Sequence, residues 1–126
     1  MQYPENFRYT KEHQWVEAAG GVATIGITHH AQEQLGDIVY VDLPKLGGAI
    51  KQGETFGSVE SVKAVSDIFA PVSGEVVEIN PVVGHSPEVL NHDPHGSWLI
   101  RVRMTAPEEM AGLLGGSEYQ KYVEAE

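Results

Sequence analysis

Apolar and polar residues alternate with a period of two along most of this chain, and that alternation predicts short, half-buried β-strands. The pattern places strands at 7–9, 14–18, 22–27, 37–42, 55–59, 64–69, 74–79 and 98–103, with Trp15 and Val16 as core contributors. Ala19-Gly20-Gly21 reads as a tight turn between the second and third strands. Thr28 is placed as an N-cap for one or two helical turns running through Leu35, with Gly36 just past the end. A turn-rich connection, 45–53, leads into a central hairpin over about 54–70 that Ala70-Pro71 closes. The strand at 74–79 stops before Asn80-Pro81, and 86–91 has room for a single helical turn.

The pattern changes after Met104. Thr105-Ala106-Pro107-Glu108 has the spacing of a capping box and predicts a helix ending at Gly115-Gly116. Ser117 to Gln120 repeats the spacing and predicts a second helix, giving a helical segment over about 106–125. Leu113, Leu114, Tyr119, Tyr122 and Val123 are the residues expected to hold it against the sheet. No repeat of solenoid length is present.

Composition narrows the function classes. A chain of 126 residues supports one core and is too short for two ordinary domains. Asp and Glu outnumber Lys and Arg by 18 to 8, a net charge of −10, which argues against nucleic acid or an anionic membrane as partner and favours basic protein surfaces. With no cysteine there is neither a structural disulfide nor a thiolate metal site. No apolar run approaches the roughly 20 residues that span a bilayer, and the N-terminus lacks signal or transit character. The expectation is a soluble intracellular protein, monomeric, in the cytoplasm or, for a mature eukaryotic form, the mitochondrial matrix.

One lysine stands between the two strands of the central hairpin. Taken alone, Lys63 is a solvated surface charge like most lysines on a turn. Its context is more specific. Glu60-Ser61-Val62-Lys63-Ala64, then Ser66-Asp67 and Ala70-Pro71-Val72-Ser73-Gly74-Glu75-Val76, closely resemble the lipoyl-attachment segment of the glycine cleavage system H proteins. The resemblance begins at Tyr9-Thr10-Lys11-Glu12-His13 and continues through Gly26-Ile27-Thr28, His30-Ala31-Gln32, Leu35-Gly36-Asp37 and Val41-Asp42-Leu43-Pro44. Beyond the lysine it takes in Ser86-Pro87-Glu88, Asn91, Pro94, Gly96, Trp98 and Tyr119, so it spans nearly the whole chain in order.

This resemblance implies a mainly β fold, a lipoyl-domain-like sandwich of two small antiparallel sheets (a barrel-sandwich hybrid) with short helices, two of them at the C-terminus. It implies (R)-lipoate joined to Lys63 as N6-lipoyllysine by a lipoate ligase, or by an octanoyltransferase with lipoyl synthase. It implies a non-catalytic carrier. The P protein, a pyridoxal-phosphate glycine decarboxylase, loads an aminomethyl group; the T protein passes the one-carbon unit to tetrahydrofolate; the L protein, a dihydrolipoamide dehydrogenase, reoxidises the dithiol. Glu60 and Gly74 match the positions by which the family's lysine is recognised for lipoylation, and Gly74 also suits a plain turn. For the cleft in which the family shelters its loaded arm, the candidates are Glu12, His13, Gln14 and Asp67. The chain departs from the family here, with His13-Gln14-Trp15 in place of His-Glu-Trp and Gln34 where some relatives have histidine.

Two rival readings are distinguishable. A lipoyl domain of a 2-oxo acid dehydrogenase complex is shorter and shows Asp-Lys-Ala, whereas Val62 precedes the lysine here; a biotin carrier shows Met-Lys-Met. An unmodified relative acting as a lipoyl relay or structural partner would be told apart by intact mass. The six histidines supply no metal site by spacing: His29 and His30 point different ways on a helix, and Pro94 disrupts the pairing of His92 with His95. No catalytic triad, phosphate loop or carboxylate pair is present.

Overall fold

Turns chosen by local sequence set the strand pairing of residues 3–126, the part of the chain that the computed structural model describes. β1 (Arg8–Tyr9) returns through a short loop into β2 (Gln14–Ala19), and β2 turns into β3 (Val22–Ile27) through Gly20 and Gly21 alone. Both glycines have positive φ, 60° and 81°, as a two-residue turn between right-twisted strands requires. Thr28 caps α1 (His29–Leu35) by accepting the Ala31 N–H, and Gly36 leaves the helix with φ 78°. There follow β4 (Ile38–Asp42), β5 (Ala49–Ile50), β6 (Thr55–Ser61), β7 (Val65–Phe69), β8 (Gly74–Ile79), α2 (Pro81–His85), α3 (Val89–His92) and β9 (Ile100–Met104). A 3-10 helix, Pro107–Gly112, and α4 (Gly116–Glu124) complete the order.

The strands form two antiparallel sheets, one of six in the order β1-β2-β3-β9-β8-β5 and one of three in the order β4-β6-β7. Their inward faces carry the β-branched residues that favour a pleated, half-buried surface. Val16, Ile25, Val59, Ile68, Val76 and Val102 are all buried in the shared core. An aromatic cluster of Tyr3, Phe7, Tyr9, Trp15 and Tyr119 joins the N-terminal segment and α4 to the sheet. Phe7 stacks on Trp15 at 4.4 Å between ring centroids, and Tyr9 on Tyr119 at 4.7 Å. The indole of Trp15 lies over Gly26, where any Cβ would meet it at 2.5 Å, and its Nε1–H donates to the Pro94 carbonyl at 3.0 Å.

The elements that differ from the sequence expectation are short ones decided by contacts from elsewhere. Asn80-Pro81 does end a strand, but it also opens α2, with the Asn80 side chain accepting the Val82 N–H and Pro81 in the first turn. β5 exists because Ala49 and Ile50 pair with Glu75 and Gly74. The expected box at Thr105 does not form. The Thr105 N–H donates to the Ser73 carbonyl, and Glu109 accepts from the Ser73 backbone and hydroxyl at 2.6 and 2.9 Å, so 107–112 winds as a 3-10 helix without a side-chain cap. The last helix starts one or two residues earlier than its Ser117 signal suggests, because the Glu118 carboxylate accepts the Gly115 N–H at 2.9 Å. Leu114, Tyr119, Tyr122 and Val123 join the aromatic cluster, while Leu113 reaches the main core.

Candidate functional site

The β6–β7 hairpin ends in Val62-Lys63-Ala64, and Ser61 fixes the shape of that tip. The Ser61 side chain is buried; its hydroxyl accepts the Lys63 and Ala64 N–H groups at 3.3 and 3.1 Å and donates to the Ala64 carbonyl at 3.2 Å. The Ser61 N–H closes the hairpin onto the same carbonyl at 2.8 Å, and the Val62 N–H is tied to the Asp37 carbonyl at 3.0 Å. A serine that bonds its neighbours' backbone pins the turn. Lys63 itself is exposed and takes part in neither of the two Arg–Glu ion pairs nor any of the three His–Glu contacts found among the described residues. Its stem runs past Gly36, where an added Cβ would meet Lys63 Cε at 3.5 Å. Val62 and Val65, one residue before and two after it in the chain, are 70% and 67% exposed, so the hairpin tip presents apolar side chains to solvent along with the amine. Glu60 is exposed in the row formed with Tyr40 and Val65.

Gly74 lies elsewhere, buried in β8 on the six-stranded sheet, with its Cα hydrogens against the Arg103 carbonyl. A side chain at this position would collide with backbone.

Glu12, His13, Gln14 and Asp67 come together around one small cleft, although 53 residues of chain separate Gln14 from Asp67. Ile27, Ala31, Leu35, Val59 and Ile68 form its apolar floor, and Ser66 joins the polar rim. Its free volume is about 30 Å3, space for roughly one water molecule. The rim is built by the β1–β2 loop. Thr10 accepts the Gln14 and Glu12 N–H groups on its hydroxyl oxygen, and donates to Gln14 Oε1 at 2.6 Å. Gln14 Nε2 donates to the Glu12 carbonyl at 2.9 Å. Both ends of this buried amide are therefore occupied in shaping the loop, and the amide donation is one a carboxylate cannot make.

His13 adopts φ 73°, the one non-glycine residue with positive φ among those described, in a region where histidine is enriched. Its N–H donates to the Thr10 carbonyl and its carbonyl accepts the Thr28 N–H, each at 3.1 Å. The ring is bonded through Nδ1 to the Tyr119 hydroxyl at 2.7 Å, which in turn bonds Thr28 Oγ1 at 2.8 Å. Burial raises the Tyr119 phenol above its usual range and lowers His13 below the usual histidine range, with Glu126 opposing the second shift. Spacing along the chain pairs no histidines, and the fold sets His13 beside His30, ring centroids 4.5 Å apart.

Two antiparallel sheets packed face to face, with a lysine held out on a pinned hairpin, define a lipoyl-domain-like sandwich. Comparison with known proteins carries this further. A model of the glycine cleavage H-protein family matches residues 7–126. The chain is 52% identical over 126 residues to the glycine cleavage system H protein of Koribacter versatilis, covering 100% of this chain and 98% of that one. It is 48% identical over 126 residues to the protein of that name from Acidobacterium capsulatum, again covering 100% and 98%. The crystal structure of a glycine cleavage system H protein from Mycobacterium marinum superposes with a TM-score of 0.87 at 40% identity, covering 94% of this chain and 97% of the other. The chain belongs to the glycine cleavage H-protein family.

Proposed function

We propose that Lys63 carries (R)-lipoate through an amide at Nζ, within a single carrier domain formed by residues 1–126. As a member of its family the chain is a non-catalytic carrier subunit of the glycine cleavage system. It takes the aminomethyl group of glycine from the decarboxylase (P protein) to the aminomethyltransferase (T protein) and is reoxidised by dihydrolipoamide dehydrogenase (L protein). The observation that carries the lipoate assignment is the lysine itself: exposed, without an ionic partner among the described residues, and displayed on a turn whose backbone Ser61 holds. Such an amine needs no rupture of native contacts to enter the active site of a lipoate ligase, or of an octanoyltransferase that precedes lipoyl synthase. The acylated side chain gives a tether on the order of 10–15 Å, which keeps its reactive end at high effective concentration once the carrier docks. The acidic surface supports docking to basic faces of the partner enzymes. A cytoplasmic monomer fits this traffic, and no described helix is long and apolar enough to cross a membrane. The test is intact mass after expression with lipoate, which is expected to show one lipoyl group, localised to Lys63 by peptide mapping.

Glu60 serves the modifying enzyme in this reading. It is exposed beside Lys63 and has no hydrogen bond among the described residues that would give it a structural duty. Glu60→Ala is expected to change stability by less than about 0.5 kcal/mol while slowing lipoylation roughly tenfold, the loss of one charge-assisted hydrogen bond. Time-resolved mass spectrometry of the modification decides it, and an unaltered rate removes Glu60 from recognition.

The cleft lined by Glu12, His13, Gln14 and Asp67 suits the loaded arm. At about 30 Å3 the cleft has room for a group the size of the arm's terminal amine and not for the tether, whose methylenes lie across its mouth, and the carboxylates of Glu12 and Asp67 suit a protonated aminomethyl nitrogen. An exposed pairing of this kind is worth about 0.5–1 kcal/mol, so Asp67→Ala is expected to shorten the lifetime of the loaded form roughly two- to fivefold. Release of the one-carbon unit as formaldehyde, followed over time, measures that lifetime.

A further inference from the structure

We propose that His13, His30 and Glu126 form a binding site for a divalent transition metal, best matched by Zn2+. The three come from the β1–β2 loop, from α1 and from residue 126, and no spacing in the sequence joins them. His30 Nε2 lies 3.0 Å from Glu126 Oε1 and His13 Nε2 lies 3.4 Å from Glu126 Oε2. All three ligand atoms fall within 4.8 Å of one another. A tetrahedral ion with ligands at 2.0–2.1 Å sets neighbouring ligand atoms about 3.3 Å apart; the two nitrogen–oxygen contacts have about that length but reach different oxygens of Glu126, so its surface carboxylate has to turn to offer one oxygen to an ion shared with both imidazoles. Two imidazoles and one carboxylate, with a further position for water, are a zinc donor set. Nitrogen ligands select zinc, copper or nickel over magnesium and calcium.

The imidazoles are oriented in advance. His13 is held in its positive-φ backbone by hydrogen bonds to Thr10 and Thr28, and His30 is buried on α1. Where His13 Nδ1–H donates to Tyr119 and the Tyr119 hydroxyl donates to Thr28, the lone pair on His13 Nε2 faces the carboxylate. Two acceptors then face each other, and a cation between them satisfies both. The Tyr119 contact is also the outer partner that fixes the tautomer of a metal-bound histidine. Since His13 lines the cleft as well, an ion here ties residue 126 to the cleft rim.

The test uses the full-length chain without lipoate, so that no arm thiol contributes, stripped with a chelator and titrated with ZnCl2 by calorimetry. One equivalent is expected to bind, and Tm to rise with Zn2+ concentration. Loss of a ligand should weaken binding by roughly tenfold or more in Glu126→Gln and His13→Gln, with His92→Gln unchanged. Glu126 is at the surface, so its variant reports on the site without threatening the fold. Absence of stoichiometric binding, or affinity that survives in Glu126→Gln and falls in His92→Gln, overturns the site.

Discussion

Replacing Lys63 with arginine is expected to leave the protein folded and equally stable while abolishing its part in glycine breakdown. The side chain is exposed and free of ion pairs among the described residues, so the change should stay within about 0.5 kcal/mol. Arginine keeps the charge and the reach. What it lacks is an amine that can lose its proton and attack an activated acyl group, since guanidinium stays protonated throughout the accessible pH range. Glycine–bicarbonate exchange in a reconstituted system should fall to the level seen without carrier, and intact mass should show no added group. Exchange that persists in Lys63→Arg removes this lysine from the mechanism.

Gly74→Ala should behave in the opposite way. The resemblance gives this glycine a part in recognition, whereas the fold gives it a buried place in β8 where a methyl would run into the Arg103 carbonyl. Overpacking against backbone costs on the order of 2–3 kcal/mol, and for a chain of this size Tm should fall by about 10 °C. Thermal melts measure the loss, and lipoylation of the molecules that remain folded should run near the normal rate. Glu60→Ala and Gly74→Ala then separate recognition from architecture: one slows modification at unchanged Tm, the other lowers Tm at unchanged modification. A stable Gly74→Ala chain that is poorly lipoylated would restore the recognition role.

What could be read from the sequence was mostly what neighbouring residues decide among themselves. Gly20-Gly21 dictates its hairpin, Thr28 caps its helix, and period-two alternation marks the long strands, because each depends on a few adjacent positions. β5 has two residues and exists through its partner β8, so no local signal marks it. The Thr105 signal failed because Ser73, far along the chain, takes up both Thr105 and Glu109. Asn80-Pro81 carried a cap and a first-turn proline together, a readable helix start that its role as a strand end obscured. At the site, the lysine and the rim residues were named from motif, but the serine clasp beneath the lysine and the apolar floor of the cleft were not. Ser61 is identified only by where its hydroxyl points, and the meeting of His30 with Glu126 spans 96 positions.

The clasp at Ser61 also governs how the carrier must travel. A tether rooted in slack chain would search a volume that grows with every loosened residue, whereas one rooted in this knot swings from a stationary pivot. With an acyl chain attached to Lys63, the free end can reach any point within one arm's length of that fixed root, so each enzyme has to bring its catalytic centre inside the same radius. A root held still in this way leaves the search to the arm's own torsions and to the placement of the docked body.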